Sequence, residues 1–262
     1  MADREGVQNP ILTARDVDDI DARFVADPFM MIEDGRYTMF FEVMNRTSNQ
    51  GDIGYATSSD GISWAYEKII IDEDFHLSYP YVFEWDGNYY LMPESVADFS
   101  LRLYIATSFP DEWEYLGNMM GGQRYVHSSL FRYKDKWWLF TSPSGSEMLN
   151  LYYSDNLRSG WRPHAMNPII KLNKHTARSA GRVLVHDSRV YRFAQDDAPS
   201  YGIQIFAFEI TELSENSYAD KLVSEISMLT NSGKGWNAAG MHHVDVQWLD
   251  GRWIASVEGR DR

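Results

Sequence analysis

The chain of 262 residues is 44% hydrophobic and 15% aromatic, enough apolar material for one large all-β domain or two smaller ones. Its formal net charge of -14 argues against nucleic acid or an anionic membrane as a partner, because both would repel it. The sequence shows no apolar run of membrane-helix length, no signal-peptide pattern and no cysteine, so the cytoplasm is the expected compartment.

The first clear element is a hairpin over Ala26–Glu42, in which two apolar runs meet at Asp34-Gly35. An Asp-Gly pair favours a two-residue hairpin turn, because both positions accept a positive φ. The start of the first strand then lies beside the end of the second strand. Asp27 and Glu42 are therefore expected at the same end of this hairpin.

Four further copies of this hairpin follow at a spacing of about fifty residues. They are Ser78–Glu94, His127–Ser142, Ala180–Gln195 and His243–Glu258. Five copies predict a single all-β domain over residues 1–262, a five-bladed β-propeller. Its blades are expected at about 23–75, 76–124, 125–175, 176–235 and 236–262, with residues 211–230 as a weakly helical excursion of the fourth blade.

The fifth copy lacks outer strands, since only four residues follow Glu258. The N-terminal segment Asn9-Pro10-Ile11-Leu12 is similar to Asn167-Pro168-Ile169-Ile170, which follows the third copy. We therefore expect residues 8–14 to supply the outer strand of the last blade and to close the ring, because closure removes exposed sheet edges.

The copies align polar residues at two equivalent positions. The first strand of each blade lines the central channel of a propeller, so both positions are expected at one mouth of that channel. Carboxylates crowded at such a mouth shift one another's pKa values, which is typical of functional sites. The first position holds Asp27, Tyr79, His127, Ala180 and His243, and the second holds Glu42, Glu94, Ser142, Gln195 and Glu258.

Two sets of motifs resemble known families. The hairpin ADPFMMIEDGRYTMFFE, with the later SSDGISW, resembles the first blade of glycoside hydrolase family 43. The segments SYPYVFEWDGNYYLMPES and GKGWNAAGMHHVDVQWLDGRWIASVEG resemble, more narrowly, the N-terminal domain of glucosamine inositolphosphorylceramide transferases and their bacterial homologues. The resemblance spans residues 9–258 and implies a carbohydrate site at the channel mouth.

The resemblance also implies catalytic roles. The first-blade aspartate of family 43 is the general base of an inverting mechanism, and Asp27 matches it by position. The acids that the family carries in blades two and three are replaced here by Tyr79-Pro80 and by His127-Ser128-Ser129. Glu94 is therefore the candidate general acid, and Glu42 and Glu258 would raise its pKa by like-charge repulsion.

The neighbouring histidines His242 and His243 are candidates for a metal site. The resemblance implies a calcium ion near the propeller axis, held through a histidine and waters. Adjacent residues of a strand point to opposite faces, so at most one imidazole faces the channel, and His243 is favoured. The alternative is a hydrogen-bonded structural histidine.

Further residues could contact a substrate. Arg178 and Arg182 could clamp a carboxylate or phosphate, or pair with the excess acids. Trp236, Tyr201 and Tyr79 could stack on a sugar, whereas most other aromatic residues are expected to pack between blades. The complete candidate substrate-binding set is Tyr79, His127, Arg178, Arg182, Gln195, Asp196, Trp236, His242, His243, Asp245 and Glu258.

The expected function is hydrolysis of a glycosidic bond with inversion. A non-catalytic glycan-binding or accessory domain of a glycosyltransferase system, and a lyase or isomerase acting on a sugar-like substrate, are the alternatives. Transfer activity is not expected, because the resemblance assigns it to a separate C-terminal domain. The expected partner is a carbohydrate or sugar-like small molecule, with no cofactor required, no nucleic acid and no membrane insertion, and the oligomeric state stays open.

Overall fold

The computed structural model describes residues 6–143, 145–249 and 251–261. Within these ranges the chain is all-β, and its helices are three single turns of 3-10 helix at Ala14–Asp16, Val96–Asp98 and Gly235–Asn237. No helix among the described residues has the length and apolarity that crossing a membrane requires. The chain divides into two compact units, Met1–Asn118 and Met119–Arg262.

The first unit is built on two antiparallel sheets whose strands follow chain order. One sheet comprises β1 (Ala22–Glu33), β2 (Arg36–Asn45), β3 (Gln50–Ser58) and β4 (Ala65–Ile71). The other comprises β5 (Ser78–Trp85), β6 (Asn88–Ser95), β7 (Ser100–Ser108) and β8 (Glu112–Gly121), whose last residues extend past the boundary of the unit.

The second unit carries the remaining three sheets. The third sheet comprises β9 (Val126–Tyr133), β10 (Lys136–Ser142), β11 (Asn150–Ser154) and β12 (Arg162–Pro163). The fourth comprises β13 (Leu184–His186), β14 (Arg189–Asp196), β15 (Gln204–Leu213) and β16 (Tyr218–Leu222), with β17 (Leu229–Thr230) also paired to β15. The last is a two-stranded sheet of β18 (Gly240–Leu249) and β19 (Arg252–Arg260).

The predicted count of five blades is wrong. Four sheets have the four or five strands of a blade, whereas the fifth hairpin copy forms only the pair β18–β19 among the described residues. The stretch 211–230 also differs from its prediction, because it contains the end of β15 and the short strands β16 and β17 in place of a helical excursion. The single domain stays a prediction beside the two compact units.

The predicted closing strand is not present, since residues 8–14 form no strand. Ile11 and Leu12 pack instead against the apolar core of the first sheet, which includes Val17, Met39 and Phe41. Thr13 then caps the first 3-10 helix through its side chain. The similarity that suggested a strand was misleading, because the outer strand β12 precedes Asn167–Ile170, and Ile170 makes only an isolated bridge to Leu149.

The inner hairpins themselves are confirmed. Asp34-Gly35, Asp86-Gly87, Lys134-Asp135 and Asp187-Ser188 each have positive φ at both turn residues. This is the backbone of a two-residue hairpin turn whose twist matches that of the flanking strands. The fifth predicted turn begins at Asp250, which lies outside the described residues.

Candidate functional site

A β-bulge recurs near the start of the first strand in three hairpins. In β1, Asp27 and Pro28 together face the single residue Phe41, because the register moves from Ala26↔Glu42 to Phe29↔Phe40. The same irregularity occurs at Tyr79-Pro80, between Ser78↔Glu94 and Tyr81↔Met92, and at His127-Ser128, between Val126↔Ser142 and Ser129↔Phe140. A bulge inserts one residue, bends the strand and re-aims a side chain.

The first residue of each bulge has a left-handed backbone. The φ angles are 52° at Asp27, 47° at Tyr79 and 46° at His127. This conformation is uncommon for a residue other than glycine and costs on the order of 1–3 kcal/mol. Proline at positions 28 and 80 suits the bulge, because it has no N–H to give to the sheet ladder.

In the first unit the bulge places Asp27 beside a second carboxylate and an imidazole. Asp27 and Glu42 are only 4% and 5% exposed. His76, in the segment before β5, lies with Nε2 3.6 Å from Glu42 Oε1. The negative charge of Asp27 favours the protonated form of the same imidazole and so opposes the lowering of its pKa by burial. Sequence reasoning missed His76, because it lies outside the repeated hairpin.

Glu94 lies at this same end of the first unit. It pairs with Ser78, only two residues after His76, and it is half-buried. The stacking prediction for Tyr79 is wrong, because its ring is fully buried and packs edge-on against Phe29 with centroids 4.8 Å apart. Asp27, Glu42 and Glu94 thus stay candidate catalytic residues, and His76 lies beside Glu42.

In the second unit the bulge residue His127 is buried between two hydrogen-bond partners. Its Nδ1 lies 2.9 Å from the Ser179 carbonyl oxygen, which can only accept. Its Nε2 lies 2.9 Å from Nη2 of Arg178, which can only donate. The pair therefore fixes His127 as a neutral imidazole with its proton on Nδ1. The Arg178 guanidinium also lies over the Tyr201 ring, 5.3 Å from its centroid.

The predicted clamp by two arginines differs from what the structure shows. Arg182 donates from Nε to Oδ1 of Asp245 at 2.7 Å and from Nη2 to Oδ2 at 3.4 Å, and Asp245 is fully buried. Arg182 thus takes the predicted alternative, pairing with an acid, and Asp245 is held in the same pair. Arg178 remains the candidate cation of this unit.

Gln195 and Asp196 are buried at the end of β14 and are held by neighbours in the second unit. Gln195 donates to both oxygens of Asp197, at 2.9 and 3.0 Å. Asp196 accepts from the backbone of Ala198 and from Gln204, and its Oδ1 lies 2.9 Å from Nδ1 of His175. These hydrogen bonds hold both side chains in place, and substrate contact stays a prediction for both residues.

The histidine pair lies at the irregular start of β18. The register shift between Met241 and His243 brings Nε2 of His242 to 3.5 Å from Glu258 Oε2. His242 also packs against Tyr201, with ring centroids 5.0 Å apart. His243 is fully buried. The strict alternation that favoured His243 therefore fails at this bulge, and His242 is the histidine beside the acid.

Calcium prefers six to eight oxygen ligands. Asp245, two residues beyond His243 on β18, already binds Arg182, whereas Glu258 is the register partner of His243 and lies beside His242. The calcium ion stays a prediction. Trp236 is half-buried against the backbone of Gly259, where an added Cβ would collide with the indole.

Known solved structures share this fold. A mutant α-L-arabinanase from Cellvibrio cellulosa aligns with a TM-score of 0.65 at 17% identity, covering 89% of this chain and 85% of the arabinanase. The catalytic domain of a family 62 α-L-arabinofuranosidase from Coprinopsis cinerea aligns with a TM-score of 0.65 at 13% identity, covering 87% and 79% of the two chains. Identities this low show the fold alone, which is the all-β propeller fold.

Sequence comparison gives the family. Glucosamine inositolphosphorylceramide transferase 1 of Oryza sativa subsp. japonica is 36% identical over 265 residues, and that of Arabidopsis thaliana is 34% identical. Each alignment covers 97% of this chain but only 36% and 34% of the respective relative, so the chain spans about a third of their length. The model of the N-terminal part of glucosamine inositolphosphorylceramide transferase 1 matches residues 3–260, and the chain therefore belongs to that family.

Proposed function

We propose that the chain is a carbohydrate-directed protein and that the site in its first unit hydrolyses a glycosidic bond with inversion. The observation that carries the proposal is the state of Asp27, a buried carboxylate at a bulge with a positive φ. Burial disfavours the ionised carboxylate, and the positive φ adds backbone strain whatever the charge, so this arrangement costs stability. Such costs are typical of a side chain aimed at a ligand.

The comparisons support a sugar as the ligand. The solved structures with this fold are named as an arabinanase and an arabinofuranosidase, and the curated relatives are named as transferases of glucosamine. These names describe different reactions on carbohydrates. A carbohydrate substrate or ligand is what they have in common.

The mechanism assigns one carboxyl group to each step. An inverting glycosidase needs an ionised carboxylate that activates water and a protonated acid across the bond, about 6.5–9.5 Å away. Asp27 would take the proton from water, and Glu94 would donate one to the leaving oxygen. Glu42 lies next to Asp27 in the hairpin register. Its negative charge would favour the protonated form of Glu94, the general acid.

A screen of glycans for release of reducing sugar tests this proposal. Asp27→Asn and Glu94→Gln should each lower the rate by about 10²–10⁴ while glycan binding persists. Asp34→Asn is the matched control, because Asp34 lies in the exposed turn of the same hairpin and Asn accepts its positive φ. An Asp27→Asn variant with the wild-type rate would refute the base.

A non-catalytic glycan-binding or accessory domain is the second candidate. The family match favours it, because the matching region is the N-terminal part of a longer transferase. Binding of a glycan by the wild-type chain without turnover of any glycan would select this candidate. In either case the cytoplasm stays the predicted compartment.

A further inference from the structure

His76 lies in the connection between β4 and β5, where it meets three other strands of the first unit. Glu42 faces it from β2, Asp27 acts on it from β1, and the backbone of Gly51 contacts it from β3. The aligned hairpins do not include this histidine. It nevertheless lies beside both carboxylates that the proposed function uses in the first hairpin.

The hydrogen bonds define the tautomer of this imidazole. The backbone N–H of Gly51 donates to Nδ1 of His76 at 2.8 Å, so Nδ1 carries no proton. A neutral imidazole must then carry its proton on Nε2. This Nε2–H lies toward Oε1 of Glu42, 3.6 Å away, which is just beyond hydrogen-bond distance.

The approach of these groups depends on the absence of a side chain at position 51. A Cβ on Gly51 would lie 2.3 Å from the Leu77 carbonyl oxygen and 2.9 Å from both Oε1 of Glu42 and Cε1 of His76. All three contacts are too short for real atoms, so glycine is required where the Leu77 backbone, the imidazole and the carboxylate meet.

Burial lowers the pKa of His76, and the charge of Asp27 opposes the shift only in part. The imidazole is therefore neutral near pH 7. A neutral N–H donor can orient a carboxylate without adding the positive charge that would weaken a general base.

We propose that His76 is a positioning residue of the carbohydrate site, whose Nε2–H, with Nε2 3.6 Å from Oε1, orients the Glu42 carboxylate beside Asp27 through a charge–dipole interaction and not a direct hydrogen bond. This inference rests on the proposed function, because it gives Glu42 and Asp27 their roles. His76 itself is not assigned any proton transfer.

Two substitutions test the roles of the two ring nitrogen atoms separately. His76→Asn keeps an oxygen near the Nδ1 position to accept from Gly51, but it has no atom that reaches Glu42. His76→Gln reaches the Nε2 position with an amide N–H, but it gives up the acceptor for Gly51. Positioning predicts that the Asn variant keeps its melting temperature and loses about tenfold or more in glycan affinity or kcat/KM. The Gln variant should retain most of that function.

The pH profile gives a readout that a structural role would not move. In the wild type, protonated His76 pairs with the carboxylates and weakens the base, so activity or binding falls in mild acid. The acidic limb should move to lower pH in His76→Asn. Function that follows the melting temperature of the variants, or an unchanged acidic limb, would overturn the inference.

Nitrogen chemical shifts of the imidazole decide the arrangement without any glycan. We expect the Nε2–H tautomer at pH 7 and a change in the His76 titration when Glu42 is replaced in Glu42→Gln. An Nδ1–H tautomer, or a titration unaffected by that substitution, would overturn the inference. If no glycan binds the wild type, the proposed function fails, while these shifts still decide the placement of His76.

Discussion

At the scale of single residues, Asp52 on β3 shows how burial changes the chemistry of a carboxyl group. Its side chain is only 2% exposed, and Asn45 donates to its Oδ2 at 3.3 Å. Burial, with a smaller contribution from the charge of Asp72, raises the pKa of Asp52 to about 6. The folded state therefore holds this proton more tightly than the unfolded state does.

This shift predicts a stability that depends on pH. The contribution of Asp52 is fully present below pH 4 and is lost as the pH rises through about 6. Asp52→Asn should thus raise the free energy of unfolding by about 1–3 kcal/mol at pH 7.5 and leave it unchanged at pH 3.5. Urea unfolding at both pH values measures this.

The matched control is Asp86→Asn, which replaces an exposed aspartate in a hairpin turn of the same unit. It should change the free energy of unfolding by less than about 0.5 kcal/mol at either pH. An Asp52→Asn variant that is less stable than the wild type at pH 7.5 would show that the ionised carboxylate is stabilising.

At the scale of elements, the hairpin turns differ in how well their residues suit a left-handed backbone. The second turn has glycine at its second position, Gly87, with φ 72°. The fourth has Ser188 there, with φ 63°. A residue with a side chain pays about 1–2 kcal/mol of strain in the left-handed conformation. Glycine avoids this strain, but it loses more chain entropy on folding, which offsets part of the advantage.

Reciprocal substitutions test this difference. Ser188→Gly should stabilise the protein by about 0.5–1 kcal/mol, and Gly87→Ser should destabilise it by a similar amount. Nothing lies within 4 Å of an added Cβ at Gly87, so only the backbone conformation is at stake. Thermal unfolding of both variants measures the effect, and shifts of the same sign in the two would contradict it.

The same turns show what a sequence can predict about this fold. Turn residues and the apolar runs beside them are local, so five hairpins and the position of Asp27 could be read directly. The partners of Arg182, Tyr79 and Asp196 are set by packing between segments far apart in the chain, and no local pattern specifies them.

The bulges could be predicted from the sequence only in part. Proline at positions 28 and 80 was a visible signal, because proline within a strand is typical of a bulge. At His127 and His242 no such signal exists, and the irregular register appears only in the structure. The missing closure has a similar cause, since Ile11 and Leu12 bury themselves in the first sheet's core.

At the scale of the whole molecule, the excess of negative charge affects the stability of the fold. The chain carries 38 acidic residues against 24 lysines and arginines. A net charge of -14 destabilises the compact state by self-repulsion. Salt at 0.1 M largely screens the repulsion between exposed charges that are more than about 10 Å apart. The melting temperature should therefore rise by about 2–4 °C between 10 mM and 200 mM NaCl, for a gain of about 1 kcal/mol.

The same charge makes a prediction about the ligand. A neutral glycan has no net charge, so salt has no long-range attraction or repulsion to screen between it and the acidic protein. Its affinity should therefore change less than about twofold over this range of NaCl. Repulsion would instead make the affinity for an anionic glycan rise with salt. Titrating one matched neutral and acidic oligosaccharide pair at both salt concentrations measures the difference. Binding of the acidic member that weakens as salt is added would reveal a cationic subsite, and Arg178 beside Tyr201 is the place to test it, by Arg178→Gln.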